Sequence, residues 1–217
     1  RASVRFITLD ARPTAADSAA ARERAQDLRR QIVDGQAQFA ELARTESADP
    51  ASASRGGEVG TIGRTQQGIP PAFADVVWAL PLNQVSEPVE TQFGWHLVQV
   101  HERTDSTARV SQILVLTELT RENEDRLLSR ADSLEDLTED FSLERAAQQL
   151  GLSVREAAVT LEQPFVPGVG SLDEGVFWAF EEAEAAGEIS PLFEGDGIFY
   201  VVELTGRTPE HVLPLEE

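Results

Sequence analysis

SADPASASRGGEVGTIGR (residues 47–64), GIPPAFADVVWALPLNQVSEP (68–88) and VETQFGWHLVQV (89–100) decide how this chain is read. The first is a polar loop in which Gly56 and Gly57 admit positive φ angles. The second opens a short helix, because Pro71 in a first turn has no hydrogen bond to lose. The third is a closing strand whose alternation sets His96, Val98 and Val100 on one face and Trp95, Leu97 and Gln99 on the other. Asp49, Thr91 and His96 thus fall among large apolar side chains, a set able to cradle an extended peptide. On residue chemistry alone, Asp49 before Pro50 equally suits a turn. His96 equally suits a satisfied buried imidazole, and Ile69 and Phe73 suit core positions.

Upstream, SVRFITL (3–9) predicts a strand. Ala21, Ala25, Leu28 and Ile32 recur at helical spacing over 18–33, with Asp17 as the expected cap and Gly35 as the stop. A second short helix carries Phe39, Leu42 and Ala43. Downstream the order repeats at an offset of about 104 residues, counted directly on the sequence: Phe39, Ala43, Phe73, Ser86 and Arg103 meet Leu143, Ala147, Phe177, Ser190 and Arg207. WHLVQV meets FYVVEL, pairing His96 with Tyr200. The opening strands RFITL and SQILV match when the offset is about 106. Two copies are expected, 1–104 and 105–217, joined near 102–108. The second copy holds FVPGVGSLDEG where the first has its acidic loop, so chemistry is expected in the first.

Composition removes several classes of function. With no Cys there is no disulfide, thiolate nucleophile or cysteine metal site, and three scattered His make no metal pattern. No GxGxxG or GxxxxGK is present, and no GxSxG. The net charge of −20 is lopsided: residues 1–104 carry 13 Asp and Glu against 11 Arg, residues 105–217 carry 25 against 7. A nucleic-acid surface is not expected. The acid excess reads as solubility or as a docking face for a basic protein partner. No apolar run is long enough for a membrane helix or a leader. Opening on Arg1, the chain reads as a mature or excised piece, with membrane attachment only through segments outside it.

FAELARTESADPASASRGGEVGTIGR, PPAFADVVWAL and VSEPVETQFGWHLVQVHER together resemble a parvulin-type peptidyl-prolyl isomerase of the exported bacterial folding-factor group, over residues 3–104. The second copy resembles a degenerate domain of the same kind. The resemblance implies an α+β architecture: two tandem domains, each an antiparallel sheet covered by helices. It implies action on X-Pro bonds of unfolded or extended proline-containing polypeptides, without a cofactor or metal, in the periplasm or another extracytoplasmic space. Carried over by position, it implies catalytic roles for Asp49, Thr91 and His96. Val59, Ile69, Phe73 and Phe93 are implied as substrate-binding residues.

One departure stands out. The family's second strand His falls on Phe6, which cannot bond to an imidazole. His96 is then expected to turn to Thr91, Thr8 or water, and activity to be weak. The alternative is a non-catalytic chaperone or peptide-binding module with a decayed site.

Overall fold

The computed structural model describes residues 1–208. In chain order its elements begin with β1 (Ala2–Asp10), α1 (Ala15–Val33), α2 (Phe39–Glu46), α3 (Pro50–Ala53), β2 (Glu58–Gly63) and α4 (Pro71–Ala79). There follow β3 (Val89–Thr91), β4 (Gly94–Arg103), β5 (Thr107–Val115), α5 (Arg121–Asp140), α6 (Leu143–Leu150) and β6 (Arg155–Val159). The last are β7 (Phe165–Val166), β8 (Gly170–Ser171), α7 (Asp173–Glu181), β9 (Phe193–Gly195) and β10 (Ile198–Arg207).

Local chemistry accounts for the boundaries. Thr14, rather than Asp17, caps α1: its hydroxyl oxygen accepts the Asp17 N–H while the Asp17 carboxylate accepts the Thr14 N–H at 2.7 Å, a capping box. Gly35 follows α1 at φ +72°, and Gly151 ends α6 in the left-handed conformation. Pro71 opens α4 as expected, with Pro70 as its N-cap.

The chain forms two α+β units, each with a four-stranded antiparallel sheet, and their division differs from the expected one. Residues 13–120 form one unit; residues 1–12 with the chain from Arg121 form the other. The first unit has strand order β2-β5-β4-β3, the second β6-β1-β10-β9. The expected join at 102–108 is a tight hairpin, in which Thr104 N–H donates to the Thr107 carbonyl at 2.8 Å. Strand β5 turns back on β4, and β1 pairs along the whole length of β10. The opening strand of each copy in sequence therefore belongs to the sheet of the other copy.

Side-chain chemistry accounts for that choice. In β1, Arg5 stands opposite Glu203 and forms ion pairs with Glu203 and Glu144. Phe6 is fully buried in an apolar cluster with Val202, Tyr200 and Trp178. In β5 the corresponding residues are Ser111, opposite Gln99, and Gln112, opposite Val98. Trading the strands would set Arg5 against a neutral amide and sink Gln112 into the apolar cluster, where an amide without partners is costly.

Each sheet is packed on both faces. In the 13–120 unit, Leu97, Ile113 and Val115 face α1 and α2, and Val98, Val100 and Val110 face Phe73 and Val77 of α4. The strand alternation read from the sequence is the one present.

Candidate functional site

Asp49 is the N-cap of α3, where its carboxylate accepts the Ala51 N–H at 3.1 Å and the Ser52 hydroxyl. The preceding residues are fixed on β5: Ala48 N–H donates to the Leu114 carbonyl at 2.8 Å, and the Ser47 hydroxyl oxygen accepts the Leu114 N–H at 3.1 Å. Gly57 is required where the loop meets β5, because a Cβ there would come within 2.4 Å of the Gln112 carbonyl oxygen. The same approach lets Gln112 N–H donate to the Gly57 carbonyl at 2.8 Å. Thr91 and His96 are set by the turn between β3 and β4. Its Gly94, at φ +126°, has no room for a Cβ against the Val115 carbonyl.

These elements converge on one row of hydrogen bonds. Gln112 Nε2 lies 2.7 Å from the Asp49 carboxylate, and Gln112 Oε1 lies 2.9 Å from His96 Nδ1. His96 Nε2 lies 2.8 Å from the Thr91 hydroxyl, whose oxygen accepts the Phe93 N–H at 3.1 Å. An ionised carboxylate only accepts, so the Gln112 amide must turn its NH₂ to Asp49 and its oxygen to His96. His96 then carries its proton on Nδ1, and Thr91 donates to the free Nε2. The row runs in one direction, from Thr91 through His96 and Gln112 to Asp49.

The electrostatics agree with that direction. Burial pushes the His96 imidazole below its ordinary value, only partly opposed by the Gln112 bond and the Asp49 charge. Burial pushes Asp49 upward, but the hydrogen bonds from Ser52, Gln112 and the Ala51 N–H outweigh it and hold the carboxyl below its ordinary value. A neutral imidazole and an ionised carboxylate thus coexist at neutral pH. Phe73 meets the His96 ring edge-on, centroids 5.4 Å apart.

Asp49, Thr91, Phe93, His96 and Gln112 line one open cavity of about 610 Å³, with Leu114 and Leu116 as apolar wall. Phe93 is 51% exposed and free to meet a ligand. Ile69 lines a neighbouring cavity of about 340 Å³ that shares Thr91 and Gln92. Phe73, only 5% exposed, and the half-buried Val59 pack in the core beneath, so Phe73 buttresses His96 instead of walling the cavity. Among the described residues, no cluster of His, Asp and Glu could hold a metal ion.

Phe6 and Thr8 lie on β1, which pairs with β6 and β10, whereas the strand paired with His96 on the side away from β3 is β5. Gln112 holds the place that Phe6 was expected to hold, and Thr91 is the expected partner that does bond to His96. Sequence reasoning missed Gln112, Leu114 and Leu116. The offset near 106 that matches SQILV to RFITL was the available signal, since it sets Gln112 level with Phe6.

Among the described residues, the other unit has no such row. Tyr200 takes the position of His96, pairing with Thr8 as His96 pairs with Leu114. Its hydroxyl accepts the Gly175 N–H at 3.2 Å, and its ring lies so near Gly175 that a Cβ there would come within 2.8 Å. Gly175, not Phe177, is the counterpart of Phe73. Arg103 donates to the carbonyls of Val77 and Leu80, and Arg207 to those of Ala179 and Ala183, which aligns the helices at an offset of 102–103.

Residues 6–102 match the family model of the rotamase PPIC-type PPIase domain. "Chaperone SurA" of Idiomarina loihiensis is 46% identical over 83 residues, which are 38% of this chain and 19% of that protein. A "Parvulin-like PPIase" of Rickettsia bellii is 44% identical over 80 residues, 36% of this chain and 28% of that protein. The chain therefore spans less than a third of the length of these curated relatives. Among solved structures, PrsA from Bacillus subtilis aligns with 69% of this chain and 49% of its own, at 20% identity and a TM-score of 0.32.

Proposed function

We propose that the protein accelerates cis–trans exchange of X-Pro bonds in extended polypeptides and so assists the folding of exported proteins, a reading supported by the match of residues 6–102 to the family model of the PPIC-type, or parvulin-type, peptidyl-prolyl isomerase domain. The catalytic unit in this reading is residues 13–120, with β5 in the place of the opening strand. Similarity to chaperones and to a parvulin-like isomerase supports the folding role. No helix among the described residues is long and apolar enough to cross a membrane.

Rotation about an X-Pro bond is opposed by amide conjugation, with a barrier of about 18–20 kcal/mol. Conjugation puts negative charge on the carbonyl oxygen, and that charge recedes as the bond twists. The wall formed by Phe93, Leu114 and Leu116 takes the proline ring and strips water from the amide, which disfavours the more polar planar form. The Asp49 carboxylate, held ionised by its three donors, disfavours negative charge on a carbonyl beside it and acts in the same direction. A differential of about 5 kcal/mol corresponds to several thousandfold in rate. No bond is made or broken. Thr91, Gln112 and His96 hold the polar floor in one arrangement, so nothing reorganises as the bond turns.

The observation that carries this reading is the hydrogen-bonded row from Thr91 to Asp49 set in the floor of an open cavity beside Phe93. Exchange spectroscopy on an Ala-Pro peptide tests it. The protein should accelerate exchange, and Asp49→Asn, which keeps the side-chain shape but loses the charge, should slow it at least about tenfold, or 1.4 kcal/mol. Intact peptide binding with no acceleration by the unaltered protein would replace this reading with a non-catalytic peptide-binding module.

A further inference from the structure

The unit formed by residues 1–12 and the chain from Arg121 has lost the polar recess, yet it carries an apolar groove elsewhere. Phe177 on α7, 54% exposed, and Leu161, 51% exposed, flank an open cavity of about 550 Å³ with the buried Trp178 in its lining. Soluble domains rarely leave large apolar side chains grouped around a concavity without an occupant. The polar lining consists of Asp173, Glu174 and Glu182, all carboxylates, with no Arg among them.

The charge decides between occupants. This unit holds 24 Asp and Glu against 9 Arg, and residues 13–120 hold 14 against 9. A second copy of so acidic a chain, an anionic membrane and a nucleic acid are all repelled from the rim. A neutral apolar compound leaves three carboxylates unused. We infer that this groove binds a polypeptide segment in which aromatic or aliphatic side chains alternate with Arg or Lys. The apolar groups enter beside Phe177 and Leu161, and the cations meet Asp173, Glu174 and Glu182. The site is separate from the isomerase cavity and needs no proline in its ligand. It gives the acidic half of the chain a basic partner.

The test is a fluorescence-anisotropy titration of the whole protein with a labelled, proline-free peptide that alternates Arg and Phe, and with its Glu-and-Phe counterpart. The Arg peptide should bind with one-to-one stoichiometry and weaken as salt rises; the Glu peptide should not bind. Phe177→Ser and, separately, Leu161→Ser should each weaken binding about tenfold. Both side chains are exposed, so circular dichroism should be unchanged. The Asp173→Asn, Glu174→Gln, Glu182→Gln triple variant should flatten the salt dependence. X-Pro exchange should be unaltered in every variant. Equal binding of the two peptides, unchanged affinity in the Phe177 and Leu161 variants, or a dimer of this chain that closes the groove would overturn the inference. Since the probe lacks proline and the readout is binding, none of these results bears on the isomerase reading.

Discussion

The two units share a frame, and three of their interior differences decide whether the polar row is present. In one, the Ser86 hydroxyl oxygen accepts the Val98 N–H at 2.9 Å; in the other, Ser190 accepts that of Val202 at the same distance. Arg103 and Arg207 each close the end of a helix. Where the 13–120 unit holds His96, Phe73 and Gln112, the other holds Tyr200, Gly175 and Phe6. Tyr200 and Gly175 exchange bulk: the longer ring fills the space that the smaller residue vacates. Phe6 replaces an amide with two polar partners by a ring that needs none. The difference teaches that the sheet and helix frame stands without the polar row. The row is a local addition of four polar residues, one each from the start of α3, β3, β4 and β5.

Dividing the chain changes this comparison most. Residues 13–120 contain all four strands of their sheet. As a fragment they should unfold cooperatively in urea and keep X-Pro exchange activity. Residues 1–104 lack β5, which lies between β2 and β4. That fragment loses the partner of both neighbours, and with it the whole of a domain stability of about 5–15 kcal/mol. A folded, active 1–104 fragment would break the comparison, because it would require β1 to take the place of β5 and put Phe6 beside His96.

This point also marks the limit of what the sequence discloses. Helical spacing located α1 and α2, proline placed α4, and alternation told the two faces of β4 apart. The order of motifs around Asp49, Thr91, Phe93 and His96 named four residues that share one cavity. The strand partners could not be read in the same way, because RFITL and SQILV are equally good apolar strands and chain order favours joining each to the helices that follow it. The choice rests on Arg5 against Ser111 and Phe6 against Gln112, whose value depends on partners far away in sequence. Gln112 was hidden by that choice. Phe177 was mistaken for the counterpart of Phe73 because a fixed offset of 104 ignores the shorter path into α7.

Exchanging single residues between the units gives the next effect in size. Gln112→Phe takes from Asp49 its amide donor and from His96 its acceptor, and should cost about 2–4 kcal/mol of stability, with at least a tenfold loss of X-Pro exchange. Phe6→Gln puts an amide among Val202, Tyr200 and Trp178 and should cost a similar amount, about 2–4 kcal/mol, while the exchange rate stays unchanged. The two sites share no hydrogen bond and no packing cluster, so the costs should add in the double variant. A double variant more stable than either single one would show that β1 and β5 can trade sheets.

The smallest effect is a difference in pH response. Burial depresses the His96 pKa, whereas the unfolded imidazole titrates near 6.5. Between those values the unfolded chain binds the extra proton, so stability falls as pH drops from 6.5 toward the folded pKa, and His96 removes nothing more below it. Asp49, also depressed, stabilises the fold above the ordinary carboxylate value of 3.8 and loses that contribution as pH falls through its own lower pKa. X-Pro exchange should follow the His96 step, because a proton on Nε2 reverses the Thr91 bond and breaks the single direction of the row. Burial raises the pKa of Tyr200 above 10, so the corresponding position in the other unit is silent throughout this range. Amide hydrogen exchange read separately on β4 and β10, corrected for intrinsic rates, should show β4 losing protection below pH 6.5 with no matching contribution from Tyr200 to β10. Equal loss on both strands, abolished by replacing Tyr200 and unaffected by replacing His96, would place the acid-sensitive group in the wrong unit and break the assignment of the row.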